Sequence, residues 1–118
     1  MIHYLDLALW DSAQVVRDGT FRGKTMLGVF ADLPRKGVRL GVAGKIMGAQ
    51  RAAELLDEGC DFVLVGRASI LRRDFPRRVF EDAQYESPEL PVTAQYLRSG
   101  GLSERFIDHM RGWPPGGL

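Results

Sequence analysis

Two short apolar runs in this chain end the same way, and this repeated ending constrains the fold more than any other feature. Val38, Leu40 and Val42 lead into Ala43-Gly44-Lys45, and Phe62-Val63-Leu64-Val65 leads into Gly66-Arg67. Residues 49–58 lie between them, with Ala49, Ala52, Ala53 and Leu56 on one side of a predicted helix. Gly59 follows where a left-handed C-cap belongs, because glycine takes a positive φ without steric cost. Strand, helix, strand at this spacing is the signature of a crossover connection, which joins parallel strands. The second run is apolar throughout, as in a strand buried on both faces of a parallel sheet. The class is α/β.

The same alternation extends in both directions. Leu5, Leu7 and Leu9 alternate with Tyr4, Asp6 and Ala8 in the two-residue period of a strand. A polar loop over residues 11–23 leads to Met26, Val29, Phe30 and Leu33, which sit at helical spacing until Pro34 and Gly37 stop the pattern. Strand-like residues begin almost at Met1, as in a piece of a larger domain. Downstream, Asp74-Phe75-Pro76 predicts a helix start, with Asp as cap and Pro in the first turn. Pro88 and Pro91 break the chain. Two short helices are expected after them, one over residues 93–98. The other starts at the N-cap Ser103 and buries Phe106, Ile107 and Met110. Residues 113–118, rich in proline and glycine, are expected to be loose.

At 118 residues and 45% hydrophobic content the chain has the size and composition of one globular domain. Its 16 Lys and Arg are balanced by 15 Asp and Glu and interspersed with them, so no concentrated basic face marks a nucleic-acid binder. The one local excess, Arg72, Arg73, Arg77 and Arg78, reads as a solvated helix start in preference to an anion patch. Cys60 is the only cysteine, which excludes an intrachain disulfide and a cysteine metal cluster; a small buried thiol is expected there. No apolar stretch approaches the roughly 20 residues of a membrane span. The N-terminus has neither the basic start nor the cleavage site of a signal peptide, so a cytoplasmic protein is expected, with no membrane partner.

Chemistry is expected at the two repeated endings. A glycine directly after a strand lets a ligand approach the backbone, whose exposed amides can hold a phosphate. Lys45 and Arg67 add positive charge, Arg67 as a forked donor. Either ending alone is ordinary turn chemistry; two on consecutive strands favour a phosphate site. His3 and His109 read as exposed surface residues. Asp6 and Trp10-Asp11 read as strand and capped-loop residues, with a place at the mouth of a site as the alternative. Asp57, Glu58 and Asp61 read as helix-end and strand-start residues, not as an acid–base pair.

The stretch GVAGKIMGAQRAAELLDEGCDFVLVGRASILRRDFP, residues 41–76, closely resembles the end of the barrel in the NADH:flavin oxidoreductase, or old yellow enzyme, family. The order is a strand ending in Gly44, an Ala- and Glu-rich helix, Asp61, an apolar strand, Gly66-Arg67, and Asp74-Phe75-Pro76. The segment YLDLALWD, residues 4–11, looks like the family's sixth strand, and Phe106 to Trp113 looks like its C-terminal segment. One departure is Met47-Gly48, where the family often has a Ser or Thr cap; glycine caps slightly less well.

This resemblance implies a partial TIM (β/α)8 barrel. Its last three βα units would occupy residues 1–86, and a C-terminal helical tail residues 87–118. Such a barrel takes about 250 residues and eight strands. The resemblance further implies that Gly44 and Lys45 by backbone, and Gly66 and Arg67 by backbone and side chain, contact the phosphate of FMN, with Ala43 lining the same mouth. The chain would be the C-terminal fragment of an FMN-dependent, ene-reductase-like oxidoreductase. In the whole enzyme a hydride passes from NAD(P)H to FMN and on to an activated alkene or similar acceptor. The family's catalytic residues come from earlier strands, so none is assigned here. The implied partners are FMN and the missing N-terminal barrel portion, or other copies through self-association. Two alternatives are a stand-alone phosphate-ligand or flavin-binding module that oligomerises without catalysis, and a remnant without a ligand.

Overall fold

The computed structural model of the chain describes residues 1–113. The remainder of the proline- and glycine-rich end expected to be loose, residues 114–118, lies outside the described residues. Three strands form one parallel sheet: β1 (Tyr4–Ala8), β2 (Arg39–Ala43) and β3 (Phe62–Leu64), in that spatial order. Tyr4 lies opposite Arg39 and Ala8 opposite Ala43; Gly41 lies opposite Phe62 and Ala43 opposite Leu64. The register therefore brings the C-terminal ends of all three strands to one side, where the two glycine-basic loops begin.

Six helices accompany the sheet: α1 (Met26–Ala31), α2 (Ala49–Asp57), α3 (Arg67–Leu71), α4 (Phe75–Glu81), α5 (Ala94–Ser99) and α6 (Glu104–Arg111). Thr25, Thr93 and Ser103 cap α1, α5 and α6, each side chain accepting from the backbone amide three residues on. The C-terminal end of α1 is held by Arg35, which donates to the carbonyls of Phe30, Ala31 and Val38. Asp61 ties the neighbouring strands: its carboxylate accepts from the Leu40 amide at 2.8 Å and faces Arg35 at 3.6 Å. A structural role for Asp61 at the start of β3 is thus what the geometry gives.

The barrel expectation is corrected. The chain forms a small α/β unit with an open, three-stranded parallel sheet and six helices among the described residues. Only β2 is covered, through Leu40, Gly41 and Val42; β1 is exposed except at half-buried Leu7, and β3 is half-buried, not enclosed on both faces. The physical reason is closure. A barrel removes its edges by joining the last strand to the first, and three strands in sequential order leave β1 and β3 as edges.

The core is correspondingly split. Leu27, Leu40, Val42, Ile46, Ala52, Leu55 and Cys60 form one cluster between the sheet, α1 and α2. Leu71, Leu97, Ile107 and Met110 form a second between α3 and the tail helices, with Met47 and Ile70 packed against it. Two expected helix faces shift by one position: α1 buries Leu27, and α2 buries Ala49, Ala52 and Leu55 while Leu56 is 48% exposed. Gly59 has the expected positive φ, +116°. The tail helix α6 buries Ile107 and Met110 as expected and leaves Phe106 half-buried. The helix α3 was not legible in advance, because five residues are too few to show a period.

Candidate functional site

The loops after β1, β2 and β3 meet at one end of the sheet. Two backbone bonds fasten the first to the second: the Leu9 amide donates to the Ala43 carbonyl at 3.1 Å, and the Ser12 amide to the Gly44 carbonyl at 3.0 Å. Ser12 is buried, and its hydroxyl accepts from Arg51 of α2 at 3.2 and 3.3 Å. The loop after β2 is anchored from both sides, with Ile46 in the first core cluster and Met47 against the second. The start of α2 has no capping side chain at Gly48. Residues 85–87 hold it instead: the Ala49 amide donates to the Tyr85 carbonyl, and the Ser87 amide to the Met47 carbonyl, both at 2.8 Å. The weaker glycine cap noted in the sequence is offset by this pairing.

These constraints create a cavity of about 220 Å³ lined by Leu9, Trp10, Ala43, Gly44, Lys45, Ile46, Met47, Leu64, Gly66 and Arg67. All five residues singled out in the sequence, Ala43, Gly44, Lys45, Gly66 and Arg67, line this one space. Trp10, which the sequence favours as a plain loop residue, belongs to it as well. The Arg67 guanidinium lies 5.1 Å from the centre of the Trp10 ring, within the range of a cation–π contact. Lys45 faces the Asp11 carboxylate at 3.7 Å, and Asp11 also accepts from the Ala13 amide at 2.9 Å. Trp10 thus stands at the mouth of this cavity, whereas Asp11 is not among its lining residues and caps its own loop through the Ala13 amide, as expected.

The two glycines occupy different surroundings. Gly44 has φ +136°, and a Cβ there would lie 2.7 Å from both the Leu9 carbonyl oxygen and the Ser12 amide nitrogen. A Cβ on Gly66 would meet nothing within 4 Å, so the backbone at Gly66 is open to an approaching group. Lys45 is itself left-handed, with φ 50°. Among the described residues the amides of Lys45 and Gly66 donate to no protein acceptor. The space thus offers an ammonium, a guanidinium and uncommitted amides, which is a donor set suited to an oxyanion.

Cys60 is buried, donates from Sγ to the Leu55 carbonyl at 3.1 Å, and burial pushes its thiol up, so it is held as a neutral core residue. Glu58 pairs with Arg51. His3 and His109 are exposed, His109 beside the rings of Phe106 and Trp113. Among the described residues no group of three His, Cys, Asp or Glu side chains could hold a metal ion, and no helix is long and apolar enough to cross a membrane. No family model, no curated protein and no solved structure matches the chain.

Proposed function

We propose that this chain supplies the phosphate-gripping loops of a flavin mononucleotide site, as part of an FMN-dependent oxidoreductase that draws on NAD(P)H. The observation that carries the reading is the convergence of Ala43-Gly44-Lys45 and Gly66-Arg67 on one cavity of about 220 Å³. Arg67 offers a planar fork that can bind two phosphate oxygens, and Lys45 a compact charge. The open backbone at Gly66 lets the anion reach the amides. The volume supports a division of labour. Sites for whole small molecules run from about 300 Å³ upward, so this cavity takes a phosphate and its nearest atoms, while the isoalloxazine ring rests on protein outside this chain. Bound FMN supplies the hydride chemistry; the residues here hold and orient its phosphate. None of them has a catalytic role, and the cell compartment that suits the activity is the cytoplasm.

The exposed β1 supports a covering partner. Tyr4 and Leu5 are exposed along it, as is Ile2 just before it, and an unpaired strand edge is a template for another strand. The remainder of the enzyme is the partner favoured here. Self-association of a stand-alone flavin-binding module through the same edge is the second reading.

Titration of the purified chain with FMN and with riboflavin, followed by flavin fluorescence, tests the proposal. FMN is expected to bind at least about tenfold more tightly than riboflavin, the size of one charge-assisted hydrogen bond. Arg67→Ala removes that preference. Equal affinity for the two flavins, or an Arg67→Ala chain that keeps the preference, overturns the reading. Light scattering separates the partners: a monomer argues against self-association.

A further inference from the structure

A larger cavity lies elsewhere. It measures about 660 Å³ and is lined by Leu71, Arg72, Arg73, Asp74, Pro76, Arg77, Tyr96, Ser99 and Gly100. It opens where α3, α4 and α5 meet, away from the strand ends. Three of the four arginines that the sequence marks as a local excess face this space. Its volume falls within the roughly 300–1,000 Å³ of small-molecule sites.

The charges in it are not all compensated. Asp74 does not cap α4; its carboxylate is 3.4 Å from Arg72 Nε and 3.0 Å from Arg78 Nε. Desolvation raises the Asp74 carboxyl, but the hydrogen bond and charge of Arg78, with the charge of Arg72, outweigh it and hold the carboxyl below its usual range. Arg72 also makes a hydrogen bond with the Tyr96 side chain, which raises its own pKa. Asp74 is therefore an ionised partner committed to Arg72 and Arg78. Among the described residues Arg73 and Arg77 have no ion pair and no side-chain hydrogen bond. Two permanently charged forks thus border one cavity, and among the described residues the one carboxylate that lines it, Asp74, is engaged by Arg72 and Arg78.

A solvated helix start would leave four arginines pointing into bulk water, where nothing gathers them. Here one pair is fixed by Asp74 and the other is left at the rim, over a floor of Leu71, Pro76 and the half-buried Tyr96 ring. That is a polar end and an apolar end in one space. Guanidinium forks match phosphate oxygens in pairs, and an aromatic face with aliphatic neighbours suits an uncharged organic body.

We infer that this cavity is a second anion site, which takes a small phosphorylated molecule with its phosphate between Arg73 and Arg77 and its body against Tyr96. The inference stands apart from the flavin reading, since it uses none of the residues at Gly44-Lys45 or Gly66-Arg67.

Isothermal titration of the full chain with inorganic pyrophosphate tests it. The variants are Arg73→Ala/Arg77→Ala, Arg67→Ala, and a control pair, Arg17→Ala/Arg22→Ala, from the exposed loop after β1. The first variant is expected to lose at least about tenfold in pyrophosphate affinity at one site, from two charge-assisted contacts. Arg67→Ala and the control pair are expected to leave that site within about twofold, as removal of remote surface charge does. The arginines removed are exposed except for half-buried Arg67, and an unchanged thermal transition certifies the fold of each variant. Unchanged affinity in Arg73→Ala/Arg77→Ala overturns the proposal. So does an equal loss in the control pair, which would show that net charge alone attracts the anion. Loss of the site in Arg67→Ala alone also overturns it, by assigning the anion to the strand-end cavity.

Discussion

Gly44-Lys45 and Gly66-Arg67 look like two copies of one device in the sequence, and the structure gives them different tasks. Gly44 is packed. Its φ of +136° and the backbone atoms of Leu9 and Ser12 around it leave no room for a side chain. It is the point where the loop after β1 crosses the end of β2, and the Ser12 amide bonds to its carbonyl. Gly66 is open, with a φ of −105° that other residues can adopt and empty space where a Cβ would stand. The first glycine builds the mouth of the cavity; the second leaves the mouth accessible. A glycine after a strand is thus not one signal but two, and only the path of a neighbouring loop tells them apart.

The largest effect follows from this contrast. Gly44→Ala places a Cβ against backbone atoms in a region of φ that L-residues rarely adopt. It is expected to cost about 3 kcal/mol of stability, from left-handed strain plus the shift that the clash forces. Gly66→Ala is expected to stay within about 0.5 kcal/mol, as at open surface positions. Urea unfolding of both variants measures the difference. Equal costs would break the distinction between a packed and an open glycine.

The fold was legible as far as local pattern and spacing reach. The strand centres at Leu5-Leu7, Leu40-Val42 and Phe62-Leu64, the helix that starts at Ala49 and the cap Ser103 follow from periodicity and capping chemistry. Closure was not legible. An all-apolar run such as 62–65 fits a strand enclosed on both faces, yet β3 is half-buried because nothing beyond it completes the sheet. Nor was the second core cluster legible, since it joins Leu71 and Met47 to Leu97, Ile107 and Met110 across long separations. That Ala43, Gly44, Lys45, Gly66 and Arg67 would gather in one place was readable because strand ends in a parallel sheet share one side. Trp10 was not, because its place depends on the loop bonds at Leu9 and Ser12. The arginine excess was visible as composition, but only the fold separates Arg72 and Arg78, held by Asp74, from Arg73 and Arg77.

A smaller test concerns the residues that follow the glycines. Lys45 is left-handed at φ 50°, a conformation that costs a residue with a Cβ about 1–2 kcal/mol. Its ion pair with Asp11 has both side chains about half exposed and returns no more than about 0.5 kcal/mol. Lys45→Gly is therefore expected to raise stability by about 0.5–1 kcal/mol while it weakens the phosphate binding proposed for the strand-end cavity. Such a gain, read from the urea midpoint, would mark Lys45 as retained for a ligand. A loss of stability would mean that Lys45 is structural, and the first loop would then have no part in holding an anion.

The smallest effect separates the two ways in which the basic side chains are steadied. Lys45 is held by charge across 3.7 Å to Asp11; Arg67 lies over the face of Trp10 at 5.1 Å. Charges at the surface are screened over about 3 Å in 1 M salt, whereas the flat contact of guanidinium and indole keeps its dispersion and apolar parts. Asp11→Asn keeps the turn bond to the Ala13 amide and removes only the charge. It is expected to lose less than about 0.5 kcal/mol in dilute buffer and nothing in 1 M sodium chloride. Trp10→Leu is expected to lose about 0.5 kcal/mol at either salt concentration, within the range of an exposed cation–π contact. If the Trp10→Leu loss also vanishes in salt, Arg67 is steadied by charge alone, and the two loops are more alike than their glycines suggest. If it persists, Arg67 is pre-set by an aromatic surface before any anion arrives, and it meets a phosphate with less ordering to do than Lys45.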